Sequence, residues 1–149
     1  MSTHYQGSAP EKLALDTFIK LVRAAESFID RSSSHISAAG LTTSQFGVLE
    51  ALYHLGPLCQ KELAAKILKS SGNMTMVIDN LEKRSLVKRE RDCDDRRYYR
   101  IHLTDKGFTL MQDLFPQHAA TIRKEMSSLS EQEKRDLGSL CKKLGTEKA

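Results

Sequence analysis

Cysteine is scarce in this chain: there are three, an odd number, and no Cys-x-x-Cys pair. That argues against a disulfide scaffold and against a zinc site, and it describes a reduced, cytosolic protein. The histidines (His4, His35, His54, His102 and His118) are scattered, and none stands at ligand spacing from another, so no metal is expected. No apolar run approaches the ~18 residues of a membrane span. Met1 to Pro10 is polar, with neither the apolar core of a signal peptide nor the Arg-rich pattern of a transit peptide. Also missing are a Gly-rich phosphate loop, a nucleophile with its base and orienter, and a convincing pair of carboxylates. Neither an enzyme nor a cofactor-binding protein is expected. What is present is 149 residues, 40% hydrophobic and 28% charged, enough for one soluble domain (residues 1–149) with a real core.

The net charge of +4 has one source. From Lys83 to Lys106 there are nine basic residues against five acids, which leaves 14 of each sign elsewhere. A basic excess confined to one stretch points to a polyanion partner; a solvated charged hairpin is the other reading.

Most of the chain has helical periodicity. From Glu11 to about Ile36 the residues Leu15, Phe18, Ile19, Val22, Ala25, Phe28 and Ile29 recur at spacings of three and four, which predicts one long amphipathic helix. Thr42-Thr43-Ser44-Gln45 is a capping box that opens a second helix, ended by Gly56-Pro57. A short third helix is predicted over Lys61–Leu68. After Ser70-Ser71-Gly72 comes a fourth, with Met74, Val77, Ile78 and Leu81 as its inward stripe. Two helices joined by a turn of about three residues give the helix-turn-helix outline. The period then changes: 86–91 and 98–103 alternate as strands around the polar tip Asp92-Cys93-Asp94-Asp95-Arg96-Arg97. A fifth helix begins at Thr104-Asp105 and runs on past Pro116, where a kink is expected. Ser130-Glu131-Gln132-Glu133 caps the last.

The fold class is therefore mainly α with a small β-hairpin wing. This is a winged helix-turn-helix (about 40–107) flanked by N- and C-terminal helices (about 10–38 and 105–145). Such a module suits duplex DNA. A helix fits the major groove, where every base pair shows its own donor–acceptor pattern. A narrow hairpin tip carrying Arg96 and Arg97 suits the negative minor groove. With the inward stripe fixed, the fourth helix presents Gly72, Asn73, Met76, Asn80 and Lys83, with Thr75 alongside. Asn pairs bidentately with adenine, and Thr or Met touches a thymine methyl. Ser70, Ser71 and the free amides at the helix start suit a phosphate.

The same residues resemble the MarR/SlyA-type winged-helix regulators, closely from Gly40 to Gly107. Gly40-Leu41-Thr42 with Gln45 and Val48-Leu49 comes first, then Glu62-Leu63-Ala64, Ser71-Gly72-Asn73-Met74-Thr75 and Leu81-Glu82-Lys83-Arg84. Leu86-Val87, Asp95-Arg96-Arg97 and Leu103-Thr104-Asp105-Lys106-Gly107 complete the order. The resemblance implies that Arg97 enters the minor groove with Asp95 holding its guanidinium. It also implies a homodimer built on the first, fifth and sixth helices, which would read a pseudo-palindromic operator. The terminal helices add a reason of their own, being more apolar than a small reading domain can cover. Ser85 departs from the family's usual glycine after the recognition helix; a left-handed backbone there would cost something like 1 kcal/mol.

Residues 45–53, 71–75 and 77–83 look like the subgroup that answers hydroquinones, quinones or other phenolics. The function implied is a dimeric repressor released by a small aromatic effector or by thiol modification. His35, Tyr53 and His54 are polar candidates for an effector site, with core or surface roles as the alternative. Cys59, just before the third helix, and Cys93, in the wing, are the redox candidates, with inert thiols as the alternative. The competing function is a winged helix used for protein association, without specific DNA binding.

Overall fold

The computed structural model describes residues 1–67, 71–92 and 94–146. Its helices are α1 (Ala9–Ser32), α2 (Ser34–Ala38), α3 (Thr43–Leu55), α4 (Gln60–Lys66), α5 (Ser71–Lys83), α6 (Asp105–Glu125) and α7 (Glu131–Thr146). Strands β1 (Leu58–Cys59), β2 (Val87–Arg91) and β3 (Tyr99–Leu103) form an antiparallel sheet in the order β1-β3-β2. The predicted capping boxes are made. Thr42 Oγ1 accepts from the Gln45 amide at 3.1 Å while Gln45 Oε1 accepts from the Thr42 amide at 2.9 Å. Ser130 and Glu133 do the same at the head of α7.

Two expectations are corrected. The long first helix does not reach Ile36. The Ser32 hydroxyl donates to the Phe28 carbonyl at 2.7 Å, and Ser33 sits in the bridge region (φ −102°, ψ 0°), so α1 ends and the short α2 starts afresh. A third strand also exists: β1 pairs Leu58 with Ile101 and Cys59 with Arg100, which makes the hairpin part of a sheet. Helix α4 starts at Gln60, one residue before the predicted Lys61, and the predicted end of that helix at Leu68 lies outside the described residues. Pro116 lies inside α6 without ending it.

The chain divides into two units. One is Ser33–Ala119; the other is Met1–Ser32 with the chain from Ala120 onward. In the first, the core is Phe46, Val48, Leu49 and Leu52 of α3, Leu63 of α4, Met74, Ile78 and Leu81 of α5, Leu86, Val87 and Ile101 of the hairpin, and Met111 and Leu114 of α6. The predicted stripe of α5 is thus the buried one, with Met74, Ile78 and Leu81 fully enclosed. The sheet register sets Val87 against Leu103 and Arg89 against Ile101.

Two tight places hold α5, the hairpin and α6 together. Helix α5 closes in a Schellman motif: the Leu86 amide bonds the Leu81 carbonyl at 3.0 Å and the Ser85 amide bonds the Glu82 carbonyl at 2.9 Å. Ser85 is left-handed (φ +59°), a conformation that glycine would hold without the Cβ penalty. Gly107, in the first turn of α6, lies so close to the Leu86 carbonyl that any Cβ would overlap it.

In the second unit an apolar cleft of about 450 Å³ is lined by Leu21, Ala24, Ala25 and Phe28 of α1, Met126, Leu129, and Leu137 and Cys141 of α7. Arg31 pairs with Glu125 at its rim, 2.8 Å apart. Large side chains stay exposed on both terminal helices, among them Leu13, Phe18 and Ile29 on α1 and Leu140 and Leu144 on α7.

Candidate nucleic-acid interface

Helix α5 turns Asn73, Thr75, Met76, Asn80 and Lys83 to solvent, opposite its buried stripe. Met76 is 66% exposed, an unusual place for a thioether on a merely solvated face. The Thr75 hydroxyl accepts a hydrogen bond from Gln60 Nε2 of α4 at 2.6 Å, so the second helix of the pair is anchored to the first near its start. Ser71 and Gly72 fall in the first turn of α5, the positive end of the helix. Ser70 lies outside the described residues.

At the wing tip Arg97 is the most exposed of the paired cations, 82% open to solvent. Asp95 grips its guanidinium with both oxygens, Nε to Oδ1 at 3.0 Å and Nη2 to Oδ2 at 2.8 Å, and also takes the Arg97 amide at 3.1 Å. That grip holds the Asp95 carboxyl below the usual carboxylate range and raises Arg97 further. The guanidinium also lies 5.8 Å from the centre of the Tyr98 ring. Exposed pairs of this kind add little stability. Their effect is geometric, fixing a long side chain in one pose before it meets a partner.

Asp92, at the base of the tip, is likewise engaged. The Asp94 amide and the Arg100 guanidinium both hold the Asp92 carboxyl below its ordinary range, Arg100 Nε lying 3.0 Å from Oδ2. Arg91 donates to the Arg96 carbonyl at 2.5 Å and sits 5.0 Å from the Tyr99 ring centre. Lys88, 3.0 Å from Glu90, lowers that carboxyl with help from His102. Between the hairpin and the start of α4 runs a cleft of about 420 Å³, edged by Lys61, Arg97, Arg100, Tyr98 and Tyr99. The contact missed in the sequence is that of Arg89, which reaches Asp79 and Glu82 on α5 at 2.6 and 2.9 Å. Its signal was there: strand alternation puts Arg89 on the face of buried Val87, toward the core.

The three effector candidates prove to be parts of one aromatic row. Phe108 packs on Tyr53 (centroids 5.4 Å apart), Tyr53 on His54 (5.1 Å), His54 edge-on to Phe115 (4.5 Å), and Phe115 on His118 (5.7 Å). His118 then meets Phe46 at 4.7 Å, and its Nδ1 lies 2.9 Å from His35 Nε2. Sequence reasoning missed His118 because its partner is 83 residues away. Among the described residues His35 Nδ1 is buried without a partner. A bare acceptor is tolerated there better than a stranded N–H, which favours His35 Nε2–H as the donor to His118. Burial is the main cause that pushes His118 below the usual histidine range, with His35 acting in the same direction and Glu50 against it. Beside His35 opens a cleft of about 240 Å³ lined also by Leu110, Asp113 and Gln117.

Cys59 is half-buried at the cap of α4, where Glu62 takes its amide at 3.0 Å. Cys141 is exposed on α7, and Cys93 lies outside the described residues. No cluster of three or more metal-ligating side chains occurs among the described residues, and no described helix is long and apolar enough to cross a membrane.

A helix-turn-helix backed by a three-stranded sheet, with an arginine presented at the hairpin tip, defines the winged helix-turn-helix class. The chain belongs to the MarR family: the family model matches residues 41–99. The HTH-type transcriptional regulator MhqR of Bacillus subtilis (strain 168) is 40% identical over 132 residues, spanning 89% of this chain and 91% of that protein. The crystal structure of overoxidised AbfR bound to DNA matches with a TM-score of 0.73 at 25% identity, covering 91% of this chain and 95% of that one. NadR in complex with 4-hydroxyphenylacetate shares the fold, with a TM-score of 0.77 at 21% identity over 99% of this chain and 100% of that one. This is a family of transcriptional regulators and not of enzymes.

Proposed function

We propose that the protein is a homodimeric, sequence-specific DNA-binding repressor of the cytoplasm, which reads a pseudo-palindromic operator and is released by a small aromatic effector. Residues of about 40–107 read the DNA, and the helices of about 10–38 and 105–145 hold two copies together. Asn73, Thr75, Met76 and Asn80 contact base edges, while Lys83 and the α5 start with Ser70, Ser71 and Gly72 meet phosphates. Arg97, oriented by Asp95 and flanked by Arg96, enters the minor groove. The observation that carries this reading is the pose of Arg97, 82% open to solvent yet held by one carboxylate that takes two bonds from its guanidinium and one from its amide. The exposed apolar residues of α1 and α7 support self-association.

For the effector, support comes from the aromatic row that joins His35, Tyr53 and His54 beside an open cleft. A weakly acidic phenol stacks on such rings and accepts from an imidazole N–H. Any ligand that binds the free protein better than the DNA-bound one lowers operator affinity, and a difference of ~1–3 kcal/mol amounts to roughly 5–150-fold. DNA selected by the purified protein from a random pool should yield one pseudo-palindrome. Operator binding is then titrated with salicylate, a hydroquinone, a quinone and peroxide, on wild type and on a variant with Cys59, Cys93 and Cys141 all changed to Ser. A non-covalent phenol acts on both proteins equally, whereas thiol chemistry spares the variant. A pool that yields no preferred sequence overturns the DNA-reading role and favours protein association; four inert compounds overturn the effector role alone.

A further inference from the structure

Arg89 stands within the basic stretch, yet its side chain is only 19% exposed and is turned inward. Asp79 Oδ1 lies 2.6 Å from Nη2 and Glu82 Oε1 lies 2.9 Å from Nη1. The other Glu82 oxygen accepts from the Arg89 backbone amide at 3.2 Å, so one carboxylate holds both the strand and its side chain. Asp79 and Glu82 are three residues apart and share one face of α5. Among the described residues, these are the ion pairs that join the hairpin to α5. Arg89 sits at the middle of β2, beyond the last buried residue of that strand, Val87, and short of the tip.

We propose that Arg89 is a positioning residue that sets the angle of the wing to the recognition helix, and so fixes the spacing between the major-groove and minor-groove contacts. This rests on the DNA-reading role proposed above. Two carboxylates on α5 and a planar guanidinium with parallel donors make a directional joint, in contrast to a flexible lysine contact. A hairpin pivoting at residue 89 would swing the Arg97 tip through several ångströms, and a groove contact does not survive that. An arginine used this way adds little to phosphate binding, because its side chain is turned inward and its charge is offset by Asp79 and Glu82.

The selected operator separates this from a direct phosphate contact. Arg89→Ala should weaken operator binding at least tenfold with an unchanged dependence on salt, whereas loss of a phosphate contact would reduce the log–log slope by about one. In an Arg97→Ala background the same change should cost less than about twofold, since the contact it positions is already gone. The paired change Asp79→Asn with Glu82→Gln keeps Arg89 and removes two negative charges near the DNA. Charge alone predicts tighter binding from that variant, and a broken joint predicts weaker binding. Circular dichroism and thermal melts verify that each variant is folded; Arg89→Lys serves where Arg89→Ala is not. A reduced salt slope, full additivity with Arg97→Ala, or tighter binding by the carboxylate variant each overturns the proposal. If the wild type itself selects no operator, the DNA-reading role fails first and this inference with it.

Discussion

Single side chains in the wing have work that does not depend on stability. Arg97→Ala should leave the melting temperature nearly unchanged, since the residue is exposed and has no part in the core. Operator affinity should fall at least tenfold, on the order of 1–3 kcal/mol for a desolvated groove contact, as measured by titration at matched salt. Ser85 is the opposite case. A non-glycine residue at φ +59° carries strain, and its side chain is exposed. Ser85→Gly should therefore raise the unfolding free energy by about 1 kcal/mol in urea titrations, without moving DNA affinity. His118 supplies a pH signature. Its folded pKa lies below its unfolded value, so its contribution is fully present above ~6.5 and is lost as pH falls through the folded value. Urea midpoints should drop between about pH 7.5 and about pH 5.0, with a shallower drop in His118→Gln. The Asp95–Arg97 pair was expected from the family resemblance, and it is a local one, with a single residue between its members. The joints of Arg89 and the His35–His118 pair were not, because tertiary packing alone brings such groups together.

At the level of elements, local chemistry was the legible part. Both capping boxes follow from residues three apart, and the buried stripe of α5 follows from its period. Strand β1 escaped because two residues carry no period; it exists through its pairing with β3. The end of α1 escaped because a run of serines has several ways to stop or continue a helix; here the backbone departs from it at Ser33, next to the Ser32–Phe28 bond. The reading face of α5 yields a split test. Asn73→Ala should relax the consensus recovered from a random pool, while Lys83→Ala should weaken all sequences alike and lower the salt slope by about one. An unchanged consensus with Asn73→Ala would place the base-reading face elsewhere on the helix.

For the whole molecule, the terminal helices are the least self-sufficient part. Helix α7 covers the apolar cleft lined by Leu21, Phe28, Met126 and Leu129, and several of its own large side chains remain exposed. Truncation before Ser130 should uncover that cleft. On the proposed dimer, the product should sediment as monomer or aggregate, with operator binding lost at concentrations where the full chain still binds. A clean truncated dimer with normal binding would contradict the role given to α7. The net charge, readable at once, located the basic stretch that forms the wing. How many of its cations are committed within the protein was not readable, because Arg89, Arg91 and Arg100 each find their partners only in the folded wing.

The close approach of Gly107 to Leu86 has a genetic consequence. The Leu86 amide closes the end of α5, and its carbonyl accepts from the Thr104 amide at 3.1 Å. A single methyl at position 107 would push on that peptide group and, through it, on the end of α5, the proposed recognition helix. In a saturation library under selection for repression, position 107 should therefore lose every allele but glycine, alanine included, while neighbouring exposed positions tolerate many. Such alleles would score as DNA-binding mutants although every residue assigned to the DNA is intact. Their suppressors should map to the loop between α5 and β2 rather than to the reading face.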